Sequence, residues 1–285
     1  MNPIIRHKFT ADPTVLEYDG KVFLFTGHDE PPAGVDDYVM KDWLCFSTSD
    51  LISWTAHASP LKATDFKWAS GDAYASKVIR YKDAFYWFVS VSHRDIPGKA
   101  IGVATAPSPE GPYTDHLQQP LITGDMLPLL HHEKENLDPT VLTDDDGKTY
   151  IYWGNGYCHF AQLNESLTAL EGPIQTIRVP DFSEGSHLYK RNGWYYLMYG
   201  AGQPEKVGYA MSRQITGPWM YRGIICAPAF NSDTNRPATL DFGGKSYFFY
   251  HNGRLPEGGS HRRSVCVDEL RYRPDGTIGD VIMTS

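Results

Sequence analysis

Short apolar runs separated by polar turns make up most of the hydrophobic pattern of this chain. The clearest example lies at residues 137–153, where the run LDPTVL passes through an acidic turn at Asp146-Gly147-Lys148 into the aromatic run YIYW. Residues 11–25 repeat this pattern, with ADPTVL, a turn at Gly20 and then VFLF. Two apolar runs joined by a short Gly-containing turn are typical of a β-hairpin. The pattern therefore predicts two similar hairpins far apart in the chain.

Three weaker copies of the hairpin lie at residues 73–90, 184–199 and 236–251. The turns of the five copies are marked by Gly20, Asp83, Gly147, Gly193 and Gly244. Each hairpin is followed by a second pair of short strands, and long helical periodicity is absent. A unit of four antiparallel strands that recurs at about 40–50 residues plus insertions is the sequence signature of a propeller blade. We therefore predict an all-β, five-bladed β-propeller that forms a single domain over residues 1–285.

Four insertions between the predicted strands are rich in Pro, Gly, His and Asp, and they lie at residues 29–42, 58–72, 124–135 and 255–262. Connecting segments of this kind carry binding and catalytic residues more often than the elements they join. We expect them to rim one face of the propeller.

The composition narrows the classes of function. The net charge of −8 argues against a nucleic-acid partner, which requires a basic face. No apolar run reaches the roughly 18 residues of a membrane span, and the N-terminus lacks the apolar core of a signal peptide. The four cysteines follow no metal-ligand spacing and are expected to be buried free thiols. These features indicate a cytoplasmic protein with no membrane partner, and the 13% aromatic content suits strands or a sugar-binding surface.

Three acidic residues occupy equivalent positions in three of the hairpin copies. The first strand of a propeller blade lines the central channel, so the residue before it lies at the channel mouth. This position holds Asp12 in the first copy, Asp138 in the third and Glu184 in the fourth. The second copy offers Asp72 or Tyr74, and the fifth offers Asn235 or Arg236. We therefore expect three acids to converge at one end of the channel.

Converging carboxylates point to acid–base chemistry. Like charges packed near one axis cannot all ionise at their usual pKa values, and a carboxyl with a raised pKa is a proton donor near neutral pH. Two carboxyls of different pKa in an aromatic-rich pocket are the catalytic groups that glycoside hydrolysis requires. The alternative is that each Asp-Pro pair only starts a turn. The same blade position in three copies favours the functional interpretation.

The chain resembles glycoside hydrolase family 43, the five-bladed propeller enzymes that act on xylose- and arabinose-containing substrates. The resemblance rests on the motifs at residues 11–13, 137–140 with 146–148, and 183–185 with 195–197. Residues 248–252 and 262–266 look like the single-domain β-xylosidase and arabinofuranosidase branch.

The resemblance implies a role for each acid. Asp12 would be the general base, Glu184 the general acid, and Asp138 the residue that orients the acid and tunes its pKa. The family inverts the anomeric configuration, which requires acid and base to lie roughly 6.5–9.5 Å apart so that a water fits between them.

Four further residues are candidates for ligand contacts. Trp68 and Tyr74 are expected to stack on a sugar face, with packing between blades as the alternative. Arg263, after a Gly-rich loop, is expected to bind sugar hydroxyls, with a solvated surface arginine as the alternative. His251 matches a channel histidine that touches a hydrated Ca²⁺ or other divalent cation in some relatives, with a neutral core histidine as the alternative. No organic cofactor is implied.

The sequence thus predicts an inverting exo-acting β-xylosidase that acts on xylooligosaccharides. An α-L-arabinofuranosidase, or an enzyme with both activities on arabinose-containing oligosaccharides, is the second hypothesis. A carbohydrate-binding propeller without catalysis is the third, since a fold does not fix a function. The oligomeric state is not predicted.

Overall fold

Five antiparallel sheets form the blades of a ring in the computed structural model, which describes residues 2–58 and 60–284. The first blade contains β1 (Thr10–Tyr18), β2 (Lys21–His28), β3 (Asp42–Thr48), β4 (Thr55–Ala56) and β5 (Leu61–Lys62). The second contains β6 (Ala69–Gly71), β7 (Ser76–Tyr81), β8 (Ala84–His93), β9 (Lys99–Ala106) and β10 (Thr114–Asp115). The third contains β11 (Thr140–Thr143), β12 (Thr149–Trp153), β13 (Cys158–Leu163) and β14 (Leu170–Ile177).

The fourth blade contains β15 (Phe182–Arg191), β16 (Trp194–Ala201), β17 (Lys206–Ser212) and β18 (Met220–Cys226). The fifth contains β19 (Ala238–Phe242), β20 (Lys245–Asn252) and β21 (Ser264–Leu270). Two three-residue 3-10 helices lie at Ala63–Asp65 and Gly124–Met126. No helix of the described residues is long and apolar enough to cross a membrane. The prediction of an all-β, five-bladed, single-domain propeller is confirmed.

The strands of each blade follow one another from the channel outwards. Within blades three and four the order is simply β11-β12-β13-β14 and β15-β16-β17-β18, as expected for hairpins in series. In the second blade β6 and β7 both pair with β8, because residues 72–75 interrupt the innermost strand. This interruption lies at the position where the first strand of the blade meets the channel mouth.

The fifth blade differs from the predicted four strands, since its sheet contains only β19, β20 and β21 in the described part of the chain. The N-terminal segment lies along the free edge of β21 instead. The N–H of Ile4 donates to the carbonyl of Val265 at 2.9 Å, and the N–H of Val267 donates to Oδ1 of Asn2 at 2.9 Å. The two ends of the chain therefore meet in one blade and close the ring.

The buried apolar residues of positions 2–58 and 60–284 form five clusters, each lying between two neighbouring blades. Phe25 and Trp87 join the first two blades, with their ring centroids 4.9 Å apart. Leu24 and Phe249 belong to the cluster that joins the first blade to the fifth. Burial of apolar surface is the main stabilising contribution, so each blade depends on both of its neighbours. The four cysteines are free and buried, as predicted.

Candidate active site

A cavity of about 230 Å³ opens where all five blades meet. Each blade or the loop next to it supplies part of the wall, so the cavity lies on the axis of the ring. Six of the seven predicted site residues line it, namely Asp12, Tyr74, Asp138, Glu184, His251 and Arg263. The insertion at residues 29–42 adds Tyr38 and Met40 to the wall. The structure therefore brings the three acids together.

An unusual backbone conformation accompanies each acid at the cavity. Asp12 and Asp138 have positive φ angles of 52° and 57°, and Gly185, next to Glu184, has a φ of 70°. Asp tolerates this left-handed region better than most residues, although it costs energy. The pairing of β1 with β2 shifts register between Ala11 and Thr14, and that of β15 with β16 shifts on both sides of Glu184. These irregularities lie where the carboxyl groups enter the cavity.

Asp12 is held by two residues of the last blade. Nη1 of Arg263 lies 3.2 Å from Oδ1 of Asp12, and Nδ1 of His251 accepts the backbone N–H of Asp12 at 3.1 Å. Arg263 is itself fixed by Asp29, whose two carboxylate oxygens accept Nε and Nη2 at 2.9 Å each. Asp12 is thus held at the cavity wall in a buried ion pair with a guanidinium that it shares with Asp29.

Asp138 connects the third blade to the acid on the fourth. Its Oδ2 accepts the N–H of Gly185 at 2.7 Å, and its Oδ1 lies 3.1 Å from Nη1 of Arg236. Burial raises the pKa of Asp138, while the Arg236 guanidinium and the Gly185 N–H act against that rise. Through this contact Asp138 holds the backbone next to Glu184, and its role in orienting the acid stays a prediction.

Glu184 carries the properties of a proton donor. Burial raises its pKa to about 8, and the nearby carboxyls of Asp138 and Asp12 add to the rise. Its Oε2 accepts a hydrogen bond from Nδ2 of Asn155, and the described residues place no cation in an ion pair with it. The carboxyl is therefore protonated at neutral pH and faces the same cavity as Asp12.

The two aromatic residues that were predicted to stack on a sugar lie in different places. Tyr74 lines the cavity, with its carbonyl accepting Nε1 of Trp43 at 2.6 Å, so its contact with sugar stays a prediction. Trp68 lies outside the cavity, contrary to expectation. Its Nε1 donates to Oδ2 of Asp115 at 3.0 Å, and its ring stacks on His93 with centroids 5.7 Å apart. It packs within the second blade instead of forming a sugar wall.

Arg263 also takes a different role from the predicted one. It is 3% exposed, and its N–H groups already point to Asp29, Asp12 and Thr234. A guanidinium has five N–H donors, and protein acceptors use them here. Arg263 therefore acts as a clamp on Asp12, and the geometry does not support a direct contact with sugar hydroxyls.

Three residues of the site escaped the sequence interpretation. Arg236 was named only as one of two residues at the equivalent position of the fifth copy, yet it is the ion-pair partner of Asp138. Asn155 follows the aromatic strand β12 and binds Glu184. Glu205, in the turn after β16, is a fourth acid in the cavity wall, and it is buried. No short-range motif marks them, because each meets its partner from another blade or turn.

Comparison with known proteins identifies the family of this chain. Residues 1–278 match the model of the family described as Glycosyl hydrolases family 43. The chain belongs to this family. A family 43 β-xylosidase/α-arabinofuranosidase from a compost microbial metagenome, solved with xylotriose in a calcium-free form, is 28% identical. It covers 99% of this chain and 97% of its own, with a TM-score of 0.87.

Two further family members extend the comparison. An α-L-arabinofuranosidase from Clostridium thermocellum is 30% identical, with coverage of 99% of this chain and 96% of its own and a TM-score of 0.82. The arabinoxylan arabinofuranohydrolase of Paenibacillus polymyxa is 29% identical over 98% of this chain. The present chain spans about half of that relative, 51% of its length. Glycosidase activity is thus the shared property of the proteins that this chain resembles.

The description of one relative as calcium-free raises the question whether His251 fits a calcium ion. Its Nδ1 accepts the N–H of Asp12, and its Nε2 lies 2.9 Å from the carbonyl of Thr234, to which it donates. Both nitrogens are occupied, and burial, followed by the charge of Arg263, lowers the pKa of His251 to about 3. His251 in this arrangement does not fit a calcium ion, which corrects the predicted metal contact.

Proposed function

We propose that the protein is an inverting, exo-acting β-xylosidase that releases xylose from xylooligosaccharides. One observation carries the proposal, namely that Glu184, whose pKa burial raises to about 8, and Asp12, which pairs with Arg263, line the same small cavity. One group can give a proton and the other can accept one. These are the two functions that glycoside hydrolysis requires of a pair of carboxyls.

The proposed mechanism assigns one proton transfer to each of the two carboxyls. Glu184 donates its proton to the glycosidic oxygen while the bond between that oxygen and the anomeric carbon breaks. Asp12 accepts a proton from a water molecule that attacks the anomeric carbon from the opposite face, so the configuration inverts. Asp138 holds the backbone next to Glu184, and its negative charge helps keep the acid protonated. Arg263 keeps Asp12 in place.

The size of the cavity supports exo action. Its volume of about 230 Å³ is below the roughly 300–1,000 Å³ of pockets that hold drug-sized ligands. A cavity of this size suits one terminal sugar, with the remainder of the chain outside. The xylotriose bound to the metagenome relative supports a short xylooligosaccharide as the substrate.

A second candidate is an α-L-arabinofuranosidase, or an enzyme with both activities. Two relatives favour it. The Clostridium thermocellum protein, which is 30% identical, is named an α-L-arabinofuranosidase, and the metagenome protein is named both a β-xylosidase and an α-arabinofuranosidase. Hydrolysis of 4-nitrophenyl β-D-xylopyranoside and 4-nitrophenyl α-L-arabinofuranoside at pH 7 separates the two. We expect the higher kcat/KM on the xyloside, and a higher value on the arabinofuranoside would reverse the assignment.

Inversion is tested by following the reaction with proton NMR. The first product from a β-xyloside should be α-xylose, which then equilibrates with the β anomer. Appearance of β-xylose first would contradict direct attack by water. Sugar binding without hydrolysis of any glycoside would favour the carbohydrate-binding propeller instead.

A further inference from the structure

Glu205 is a buried acid that the proposed mechanism does not use. It lies in the turn between β16 and β17, is 1% exposed and lines the cavity together with Glu184. Its N–H donates to the carbonyl of Asp233 at 2.8 Å, which ties the turn to the loop before β19. Gly200 gives the side chain its space, because a Cβ there would lie 2.6 Å from the carboxyl carbon.

The two oxygens of this carboxyl have different surroundings. Oε2 accepts the backbone N–H of Asn235 at 2.8 Å. Oε1 is buried and has no hydrogen-bond partner among the described residues. A buried polar atom without a partner is costly and is usually satisfied by water or a ligand. Because Glu205 borders the cavity, a ligand in the cavity can supply that partner.

Asn235 shows the same feature on a second residue. It is 1% exposed and lines the cavity, and neither Nδ2 nor Oδ1 has a partner among the described residues. An amide offers two donors and an acceptor. Glu205 and Asn235 thus lie side by side at the cavity wall, joined by the hydrogen bond from the backbone N–H of Asn235 to Oε2 of Glu205. Each has side-chain polar atoms without a partner among the described residues.

The charge of this pair suits a neutral polar ligand. Burial raises the pKa of Glu205 to about 9, and the neighbouring Glu184 adds to the rise. Glu205 is therefore an uncharged carboxylic acid at neutral pH, with an O–H donor and acceptor capacity. A sugar hydroxyl also donates one hydrogen bond and accepts others, so adjacent hydroxyls match an acid placed next to an amide.

We propose that Oε1 of Glu205 and the side-chain amide of Asn235 form a subsite that binds adjacent hydroxyls of the terminal sugar. In this role they are positioning residues that set affinity and sugar preference, while Glu184 and Asp12 perform the chemistry. The inference rests on the proposed function, since it names how the same cavity recognises its sugar. A purely structural role, in which Oε2 only holds the loop of Asn235, makes different predictions.

The test compares Glu205→Ala, Glu205→Gln and Asn235→Ala with the wild-type protein. Glu17→Gln serves as the matched control, because Glu17 is an exposed residue of β1 outside the cavity. KM and kcat are measured on the nitrophenyl pentosides, binding of D-xylose and L-arabinose is measured by calorimetry, and Tm checks folding. We expect Glu205→Ala and Asn235→Ala each to raise KM and weaken pentose binding by about tenfold, as loss of a hydrogen bond to a sugar hydroxyl implies.

The conservative variant separates recognition from structure. Gln can still accept the N–H of Asn235 and offers an N–H₂ donor in place of the O–H, so Glu205→Gln should restore most of the affinity lost in Glu205→Ala. Glu184 lines the same cavity and has a pKa of about 8, so the pH dependence is measured in a Glu184→Gln background. There pentose binding should weaken above about pH 9, where Glu205 ionises, and adding Glu205→Gln should remove that dependence. A structural role alone predicts no such difference in pH dependence.

Asn235→Ala keeps the backbone N–H that binds Glu205, so it decides the outcome even if Glu205→Ala fails to fold. A folded Asn235→Ala with wild-type KM and pentose affinity would overturn the subsite. Absence of pentoside hydrolysis by the wild-type protein would overturn the proposed function alone, and the subsite would then be judged by pentose binding. Absence of both hydrolysis and pentose binding would overturn both.

Discussion

The backbone N–H of Asp12 donates to Nδ1 of His251, 3.1 Å away in the last blade. Nε2 of the same ring donates to the carbonyl of Thr234, so one neutral tautomer satisfies both contacts. Burial lowers the pKa of His251 to about 3, which keeps the ring neutral near pH 7. The position of Asp12, the proposed general base, is thus set by a histidine 239 positions away in the sequence.

Chelation should therefore leave the activity intact. His251 has no free lone pair for a metal ion, and Arg263 adds positive charge next to it. We expect kcat/KM on a nitrophenyl pentoside to stay within about twofold after dialysis against EDTA, because a metal ion needs a free lone pair on its ligand. A large loss that added Ca²⁺ restores would contradict this arrangement of His251.

Replacing Glu184 by Gln should abolish most activity and stabilise the protein at neutral pH. A general acid contributes about 10²–10⁴-fold to the rate, so kcat on substrates with poor leaving groups should fall by this amount. The pKa of Glu184 rises from 4.5 to about 8 on folding. Between these values the unfolded chain loses a proton that the folded protein keeps, so wild-type stability falls as pH rises through this window. Gln does not titrate.

Thermal unfolding from pH 4 to pH 8 checks this prediction. The Tm of Glu184→Gln should exceed that of wild type at pH 7, and the difference should shrink towards pH 4. The exposed Glu17→Gln variant should show no such trend. A Tm advantage that is the same at both pH values would argue against a protonated Glu184.

Asp138→Asn should move the alkaline limb of the pH profile to lower pH. The wild-type kcat/KM should fall above about pH 8, where Glu184 loses its proton. The charge of Asp138 is the second cause of the raised pKa, so its removal makes Glu184 a stronger acid. The measurement is kcat/KM from pH 5 to pH 10, which reports the pKa of the free enzyme. An alkaline limb that does not move would show that Asp138 does not tune the acid.

Arg236→Met should destabilise the protein more than Arg236→Met combined with Asp138→Asn. Arg236 is 4% exposed and Asp138 is 6% exposed, so the single variant leaves a buried acid without its cation. Such a loss costs about 3–5 kcal/mol. The double variant removes the unpaired charge, although the contacts of Arg236 with the carbonyls of Ser76 and Pro139 stay lost. Urea unfolding measures both, and equal losses in both variants would contradict an ion-pair origin.

Most of the fold could be predicted because each blade repeats a local pattern. Residues 11–25 and 137–153 show a hairpin without any knowledge of distant contacts. The same regularity identified Asp12, Asp138 and Glu184, since equivalent blade positions meet at the axis. The prediction of a four-stranded fifth blade was wrong, because the N-terminal segment lies at the edge where the fourth strand was expected. No local pattern reveals a contact between the two ends of the chain.

The finer parts of the site could not be predicted because they depend on the direction of single side chains. Trp68 is aromatic and is close in sequence to Tyr74 of the cavity wall. A hydrogen bond to Asp115 nevertheless holds its ring within the second blade. Arg263 reaches Asp12 from 251 positions away. Glu205 looks like an ordinary turn residue until the loop at Asn235 folds over it.

The proposed acid and the proposed base depend on different parts of the ring. The acid side is assembled within the middle of the chain, where Asp138 binds the N–H next to Glu184. The base side exists only when the chain termini meet, since Asp12 depends on His251 and Arg263. In the proposed mechanism, separation of the first and last blades would disable water activation while leaving the proton donor assembled. Turnover therefore reports on whether the first and last blades are joined.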